Sequence, residues 1–161
     1  MVWVRSEYAG ELAVLSAWLS ALIPWNVTYS AGVAGGTLLF LRFPFVQVRY
    51  TYGVPFARAI DVRDPLSAIR FQAGHPLQTA YEVWAVGAAV LALALALSAV
   101  YYAREEQVES GPVDPVRLMG ALLGLAGVVL LAANYLLTAG FPGLPIPIGS
   151  LFLLVFGGLL L

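Results

Sequence analysis

The sequence contains no cysteine and no lysine, and it has few charged residues of any kind. Its 161 residues include eight arginines, nine acidic residues and one histidine. The absence of cysteine excludes disulfides, thiolate metal ligands and cysteine nucleophiles. The formal net charge is −1, whereas nucleic-acid binding requires clustered basic side chains facing phosphates. We therefore expect no nucleic-acid partner.

Apolar residues dominate what remains. Hydrophobic residues make up 61% of the chain and charged residues 11%, whereas soluble domains average about 45–50% apolar and about 25% charged residues. The length fits one compact domain. The composition therefore favours a small multi-pass membrane protein, treated as a single domain over residues 1–161.

Four apolar stretches are candidate membrane spans. They lie near 9–27, 77–103, 116–138 and 146–161. A span needs roughly 20 apolar residues to cross about 30 Å, and 77–103 also has aromatic residues near both ends, as at bilayer interfaces. A proline- and glycine-rich segment lies between the last two spans. Because proline breaks helices, this segment is predicted to be a loop that joins two helices. For 77–103, a buried helix of a soluble core is the alternative.

The segment 28–76 is different in character. The region 26–76 holds five of the eight arginines. Residues 46–52 alternate apolar and polar with a period of two, which is typical of a half-buried strand, and 38–43 is a candidate partner strand. The alternative is a further membrane helix across 31–48, which the cost of placing Arg42 in lipid disfavours.

The predicted fold class is therefore membrane α-helical. It has about four transmembrane helices and a small β-containing extramembrane cap between the first and the second. Basic residues near the span ends are almost equally divided between the two sides of the membrane. The segment Asn26-Val27-Thr28 matches a glycosylation acceptor, which favours a cap outside the cell. We expect a cell-membrane protein with both termini in the cytoplasm.

Three polar residues are candidate functional residues. Because an intramembrane acid is costly to desolvate, Glu82 is a candidate proton or cation site. The alternative is an interfacial glutamate favoured by the dipole at a helix N-terminus. Asn134 is a candidate for bonding between helices or for a substrate site, and Arg42 is a candidate partner of Glu82.

Two further groups of residues are candidates for contacts with other chains or helices. Arginine and tyrosine side chains of the cap, together with Arg42, form a candidate face for a partner or for lipid headgroups. The residues of this face are Arg49, Tyr50 and Tyr52. Small residues spaced for close helix packing form the second group. They are Gly120, Gly124 and Gly127, and they predict a contact within the chain or in a dimer.

Four segments of the sequence carry a family resemblance. They are VWVRSEYAGEL at 2–12, FPFVQVRY at 43–50, ESGPVDPVR at 109–117 and FPGL at 141–144. With the lack of lysine and the alanine- and valine-rich spans, they resemble an uncharacterised family of integral membrane proteins of halophilic archaea. The resemblance implies a membrane location and a high-salt setting. It implies no activity and no functional residues.

The motifs of common enzymes are missing from the sequence. It has no phosphate-binding glycine loop, nucleophile elbow or paired carboxylates with a base, and His75 has no companion metal ligands. We expect no cofactor, no metal and no enzymatic activity. The prediction is an accessory, scaffold or interaction protein whose partners are the lipid bilayer and a membrane protein or further copies of itself. The alternative is a small transporter or channel component using Glu82 in an oligomer.

Overall fold

The computed structural model describes residues 8–55, 57–103, 114–141 and 143–161. These residues form five helices and five strands. The helices are α1 (Ala9–Leu22), α2 (Pro65–Phe71), α3 (Gln78–Ala103), α4 (Pro115–Thr138) and α5 (Ile148–Leu160). The strands are β1 (Asn26–Val33), β2 (Gly36–Arg42), β3 (Gln47–Tyr52), β4 (Ile60–Arg63) and β5 (Leu144–Ile146). The parts of the sequence analysis that involve residues 1–7 and 104–113 concern positions outside the described residues.

Two helices begin at an aspartate followed by proline. The Asp64 carboxylate accepts hydrogen bonds from the backbone N–H groups of Leu66 and Ser67, and Asp114 caps α4 in the same way. Proline suits the first helical turn because its missing N–H would have no partner there. The side-chain and backbone hydrogen bonds from Ser67 lower the pKa of the Asp64 carboxyl. Local sequence therefore fixes the beginnings of α2 and α4.

The five strands form one antiparallel sheet in the order β4-β3-β2-β1-β5. In its central register Arg42 lies opposite Asn26 on one side and Gln47 on the other. The β1–β2 turn places Ala34 and Gly35 at positive φ, a conformation that glycine adopts without steric cost. β5 joins the sheet from the segment between α4 and α5, so residues far apart in sequence share one edge.

The helices α1, α3, α4 and α5 pack into a bundle, and the sheet covers one end of it. β1 follows α1 directly, β4 leads through α2 into α3, and β5 leads into α5. The sheet therefore meets the bundle where α1 and α4 end and where α3 and α5 begin. The bundle interior is built from alanine, leucine and methionine side chains that are almost fully buried, such as Ala17, Leu91, Met119 and Leu130.

Glycines permit a close approach of α4 and α5. A Cβ atom added to Gly157 would lie 2.6 Å from the backbone nitrogen of Gly124. A Cβ added to Gly120 would meet Leu160, and one added to Gly127 would meet Leu153 and Leu154. All three glycines predicted to pack helices thus lie along the contact between α4 and α5. A Cβ added to Gly124 itself would meet nothing within 4 Å, because it is the backbone there that touches Gly157.

The predicted class of a four-span membrane-helical protein with a small cap is wrong. The described residues hold a five-stranded antiparallel sheet, which is a full structural layer, and its fifth strand comes from outside the predicted cap. Among the described helices, α3 and α4 have the length and apolar character to cross a membrane. α1 and α5 are too short to cross a membrane, since α1 ends at Leu22 and α5 begins only at Ile148.

Residues 31–48 are strands and turns rather than a helix. Both candidate strands of this region form, as β2 and β3, and they pair with each other. Arg42 is thus carried by a strand and faces the bundle end, where other side chains supply the hydrogen-bond acceptors that lipid would lack.

Candidate functional site

The two faces of the sheet have the opposite character to that of most half-exposed sheets. Usually the face against the core is apolar and the outer face is polar. Here the face towards the bundle carries polar and charged side chains alongside Phe40 and Leu38. These are Asn26, Thr28, Ser30, Arg42, Gln47, Arg49, Asp61 and Arg63. The junction between sheet and bundle is therefore the polar centre of the molecule.

Arg42 occupies the middle of this junction and is 1% exposed. Its Nη1 donates to Asn26 Oδ1 at 2.6 Å and to Thr28 Oγ1 at 2.8 Å. Its Nε donates to Gln47 Oε1 at 3.0 Å, and its Nη2 donates to the Tyr81 hydroxyl at 3.3 Å. Strands β1 and β3 therefore supply acceptors on both sides of the guanidinium, and α3 supplies a fourth.

The acceptors of Arg42 are themselves held by further hydrogen bonds. Tyr81 OH donates to Gln47 Oε1 at 3.1 Å, and Asn26 Nδ2 donates to Asn134 Oδ1 at 2.5 Å. Asn134 Nδ2 in turn donates to the Pro145 carbonyl of β5 at 3.4 Å. The network thus ties four strands of the sheet's centre and edge to α3 and α4, and it fixes the orientation of each amide.

Aromatic rings enclose the guanidinium. The Arg42 Cζ atom lies 4.7 Å from the centre of the Phe40 ring and 5.0 Å from that of Phe141. The ring of Tyr81 packs edge-on against Trp84, whose indole N–H donates to the Pro44 carbonyl at 2.9 Å. A cation over aromatic faces is attracted by the ring quadrupoles, and more strongly so when water is excluded.

No carboxylate pairs with Arg42 among the residues that the structure describes. The ion pairs found there join Arg49 and Arg63 to Asp61 and Arg117 to Asp114. Desolvation lowers the pKa of the Arg42 guanidinium, while its contact with Tyr81 raises it. The buried positive charge of Arg42 is therefore stabilised by neutral oxygen atoms and by the faces of aromatic rings. Such an arrangement organises structure, and it offers no general base or nucleophile.

The predicted functional residues divide between this network and the surface. Arg42 and Asn134 belong to one network, joined through Asn26. Glu82 lies apart and is exposed, and it accepts a hydrogen bond from Gln78 Nε2 at 2.7 Å. Glu82 lines neither the cavity beside Gln47 and Tyr81 nor the one beside Arg42 and Trp84. The geometry therefore gives no pathway that uses all three residues.

The predicted interaction face is split by the period of the strand. Arg49 points to the bundle side and pairs with Asp61, whereas Tyr50 and Tyr52 lie on the outer face and are exposed. The polar residues around Arg42 include four that sequence reasoning did not select as site residues. They are Asn26, Thr28, Gln47 and Tyr81. The register of β3 places Gln47 on the same face of the sheet as Arg42. The alternation of apolar and polar residues over 46–52 was the sequence signal that could have identified Gln47 as a residue of this face.

Asn26 lies fully buried within the network. A glycan requires an accessible amide on the protein surface. The match of Asn26-Val27-Thr28 to a glycosylation acceptor therefore does not bear on which side of a membrane the sheet faces.

A helical bundle closed at one end by an antiparallel sheet, with a buried arginine at the junction, defines a mixed helix-and-sheet protein with a structural polar centre. The chain belongs to a family of unknown function, DUF7549, whose sequence pattern matches residues 2–161. Comparison with curated proteins finds no match.

Proposed function

We propose that the protein is a membrane-anchored, non-enzymatic scaffold that self-associates through the outer face of its sheet. In this proposal α3 and α4 form an antiparallel hairpin in the bilayer, and the sheet lies at the membrane surface.

The dimensions and exposure of α3 and α4 support the anchor. With 26 and 24 residues, they are about 39 Å and about 36 Å long, against a hydrocarbon core of about 30 Å. Only 33% of the most apolar stretch of α3 is buried inside the protein, and 39% of that of α4. The core helix of a soluble protein would bury most of such a stretch, so the exposed remainder requires an apolar environment.

The short helices support a flanking role beside this hairpin. α1 and α5, with 14 and 13 residues, are about 21 Å and about 20 Å long, which is less than the hydrocarbon thickness. Both nevertheless expose large apolar side chains outside the bundle, among them Leu15, Trp18, Phe152 and Val155. Helices of this length and exposure fit entry into one leaflet alongside the two long helices.

The exposed apolar side chains on the outer face of the sheet are the main support for the scaffold function. Because the strands are in register, apolar side chains form two unbroken rows across all five strands. One row is Ile146, Val27, Leu41, Val48 and Val62, and the other is Leu144, Tyr29, Leu39, Tyr50 and Ile60. Four of these ten side chains are more than half exposed. A contiguous apolar face of this kind marks an interaction surface.

A second copy of this chain is the occupant that the face fits best. The two rows contain no charged side chain, so the covering surface must itself be apolar and free of charge. This sheet presents such a surface, and two sheets pack face to face at about 10 Å with their side chains interdigitating. A two-fold axis then pairs the patch with itself, which is the commonest symmetry of oligomers.

Placing a charge on the face tests the proposal. Ile60→Lys puts an ammonium group into the apolar interface, where it cannot be solvated, and we expect the dimer to dissociate. The measurement is the molar mass of the full chain in a neutral detergent, by light scattering with correction for bound detergent. Leu66→Lys is the matched control, because Leu66 is similarly exposed but lies on α2, outside the two apolar rows of the sheet. This control should remain dimeric.

A monomer for the unmodified chain at all protein concentrations would overturn the self-association. Equal dissociation of both lysine variants would show that the added charge acts elsewhere than on the sheet face. Because the face carries no charge, the dimer should be insensitive to ionic strength, since salt screens charge interactions and leaves apolar contacts in place.

Single-cysteine labelling tests the membrane anchor. The absence of native cysteine makes each introduced thiol the sole target. In native membranes, Arg58→Cys at the sheet and Ala103→Cys at the opposite end of α3 should react with an impermeant maleimide from opposite sides, whereas Leu93→Cys should stay unreactive until detergent is added. Reaction of the Leu93→Cys thiol in intact membranes would contradict the anchor.

We further propose that the protein works in the membrane of a halophilic archaeon, as its resemblance to integral membrane proteins of those organisms implies. The lack of lysine and the alanine-rich sequence of α3 support it. A high-salt setting would favour a scaffold whose contacts are apolar, because concentrated salt weakens ion pairs between exposed groups.

A further inference from the structure

A cavity beside the Arg42 network, lined in part by Gln47 and Tyr81 of that network, lies near the edge of the sheet. Its volume is about 190 Å³, and it is enclosed by β2, β3 and β4, by α2 and by the beginning of α3. The side chains that matter for its chemistry are the charged groups Arg49, Asp61 and Arg63 and the apolar groups Leu38, Phe71 and Leu77. The lining of the cavity is thus partly charged and partly apolar.

The charged side chains that line the cavity have a surplus of positive charge. Arg63 Nε lies 2.8 Å from Asp61 Oδ2, and Arg49 Nη2 lies 3.5 Å from the same oxygen. Asp61 is the sole acid lining the cavity among the described residues. One carboxylate therefore faces two guanidinium groups, and an anion entering the cavity would meet uncompensated positive charge.

A buried donor points to a missing ligand. Among the residues that line the cavity, Arg49 Nε and Asp61 Oδ2 are buried without a hydrogen-bond partner in the described part of the chain. The Asp61 oxygen has the two guanidinium groups as ion-pair partners, which leaves the Arg49 Nε donor unmatched. Buried polar groups are almost always satisfied, so an unpartnered one in a cavity requires an explanation such as an absent ion. The nearby Arg63 guanidinium is held flat over the Phe71 ring, 3.4 Å from its centre, and this packing fixes its direction before any ligand binds.

The Arg42 network adds to the same field. Gln47 lines the cavity, and its Oε1 atom accepts from both Arg42 Nε and Tyr81 OH. The lone pairs of that amide oxygen are therefore occupied by the network. The cavity side of Gln47 and Tyr81 consequently offers a surface backed by a third buried cation.

We propose that this cavity binds a phosphate ester, holding the phosphate group and the short carbon chain attached to it. Arg49 and Arg63 would donate to the phosphate oxygens, since guanidinium groups match phosphate geometry with parallel N–H donors. Leu38, Phe71 and Leu77 would cover the carbon atoms that follow. A water molecule occupies about 30 Å³ of liquid, so a cavity of about 190 Å³ has room for roughly six water molecules. This space accommodates a phosphate and a short attached chain rather than a whole lipid.

The phosphate has two sources, an anionic lipid headgroup or a water-soluble phosphate ester. The lipid source rests on the proposed membrane location, whereas the site itself does not. Titration calorimetry on the full chain in a neutral detergent separates the two sources with three probes. These are dioctanoyl phosphatidylglycerol, glycerol 3-phosphate and dioctanoylglycerol, of which the last lacks phosphate.

We expect dioctanoyl phosphatidylglycerol to bind and dioctanoylglycerol not to bind. Arg49→Gln should weaken binding by about tenfold or more, which is the loss of one charge-assisted hydrogen bond. Arg58→Gln removes the same charge from an exposed loop residue outside the cavity, and it should change the affinity by less than about twofold. Gln72→Glu leaves both arginines in place and adds an opposing charge to the cavity wall, so it should also weaken binding.

Binding of glycerol 3-phosphate as tight as that of the lipid supports the site and assigns it to a soluble ester. Binding of the lipid alone supports the site and assigns it to a headgroup. The proposal is overturned if neither phosphate binds, if dioctanoylglycerol binds equally well, or if Arg58→Gln weakens binding as much as Arg49→Gln. These readouts need neither a bilayer nor a dimer, so their failure is distinct from failure of the scaffold. Thermal unfolding of each variant, with Gln72→Glu as the second probe, separates lost binding from lost folding.

Discussion

Replacing Asn26 with leucine should lower the free energy of unfolding by about 2–4 kcal/mol, because it removes one hydrogen bond to a charged group and one between neutral amides. Leucine has the same number and branching of side-chain heavy atoms as asparagine, but it has no oxygen to accept from Arg42 Nη1 and no amide to donate to Asn134. The guanidinium would remain buried with one acceptor fewer. Chemical denaturation in detergent micelles, followed by tryptophan fluorescence, measures the change.

Asn26→Asp is the matched variant, because its carboxylate still accepts from Arg42 and adds the opposite charge that the site lacks. It loses the donor to Asn134, so we expect a smaller loss of stability than for leucine. Val27→Leu changes the neighbouring residue on the outer face and should have little effect. Equal stability of Asn26→Leu and the unmodified chain would show that Arg42 does not depend on this acceptor.

A double-mutant cycle identifies the source of the cost. In an Arg42→Met background the buried charge is gone, so Asn26→Leu should destabilise the protein much less than it does beside the native arginine. We expect a coupling of about 1.5–3 kcal/mol, which is the value of a hydrogen bond to a charged group. Additive effects of the two substitutions would contradict a direct interaction.

Local signals in the sequence predicted the local structure well. The aspartate–proline pairs at 64–65 and 114–115 mark the beginnings of α2 and α4, because capping and the fixed φ of proline act within a single turn. The alternation over 46–52 predicted β3, because the side chains of a strand point to opposite faces with a period of two. Features of this kind depend on neighbouring residues and need no knowledge of the fold.

The sheet as a whole was not predictable by the same reasoning. β5 has three residues, two of them flanking Pro145, and proline in a short apolar segment gives a loop signal rather than a strand signal. β5 forms because it pairs with β1, whose residues lie more than 110 positions earlier in the chain. The short final helix then follows from the strand, which uses the residues that a longer span would need.

The position of Arg42 illustrates the limit of arguments from the cost of burial. An arginine among apolar residues is expensive in lipid, and this cost correctly disfavoured a membrane helix across 31–48. The same cost suggested a surface position, yet Arg42 is buried. Its acceptors come from three separate segments, at Asn26, Gln47 and Tyr81, and only the folded chain brings these segments together.

Apolar composition also has two meanings in this protein. In α3 and α4 it produces long helices with exposed apolar sides, as the composition predicted. In the strands it produces a sheet whose apolar residues face outward, because the bundle end is already filled by the arginine network. The average composition does not distinguish these cases, whereas the register of β1, β2 and β3 does.

The second large effect is expected at the contact between α4 and α5. Gly157→Leu places a side chain where the backbone nitrogen of Gly124 would lie 2.6 Å from the new Cβ atom. Because backbone atoms cannot turn aside as a side chain can, the two helices must separate. We expect a loss of about 1–3 kcal/mol in the free energy of unfolding, the typical cost of overpacking.

Gly158→Leu is the matched control, since it makes the same change one position along the same helix. A Cβ added at Gly158 meets nothing within 4 Å, and leucine favours helix over glycine by several tenths of a kcal/mol, up to about 1 kcal/mol. The control should therefore unfold at an equal or higher denaturant concentration. If Gly157→Leu and Gly158→Leu are equally stable, the close approach of α4 and α5 does not contribute to the folded state. If only Gly157→Leu is destabilised, then the short α5 is held to the bundle by backbone contact rather than by its length.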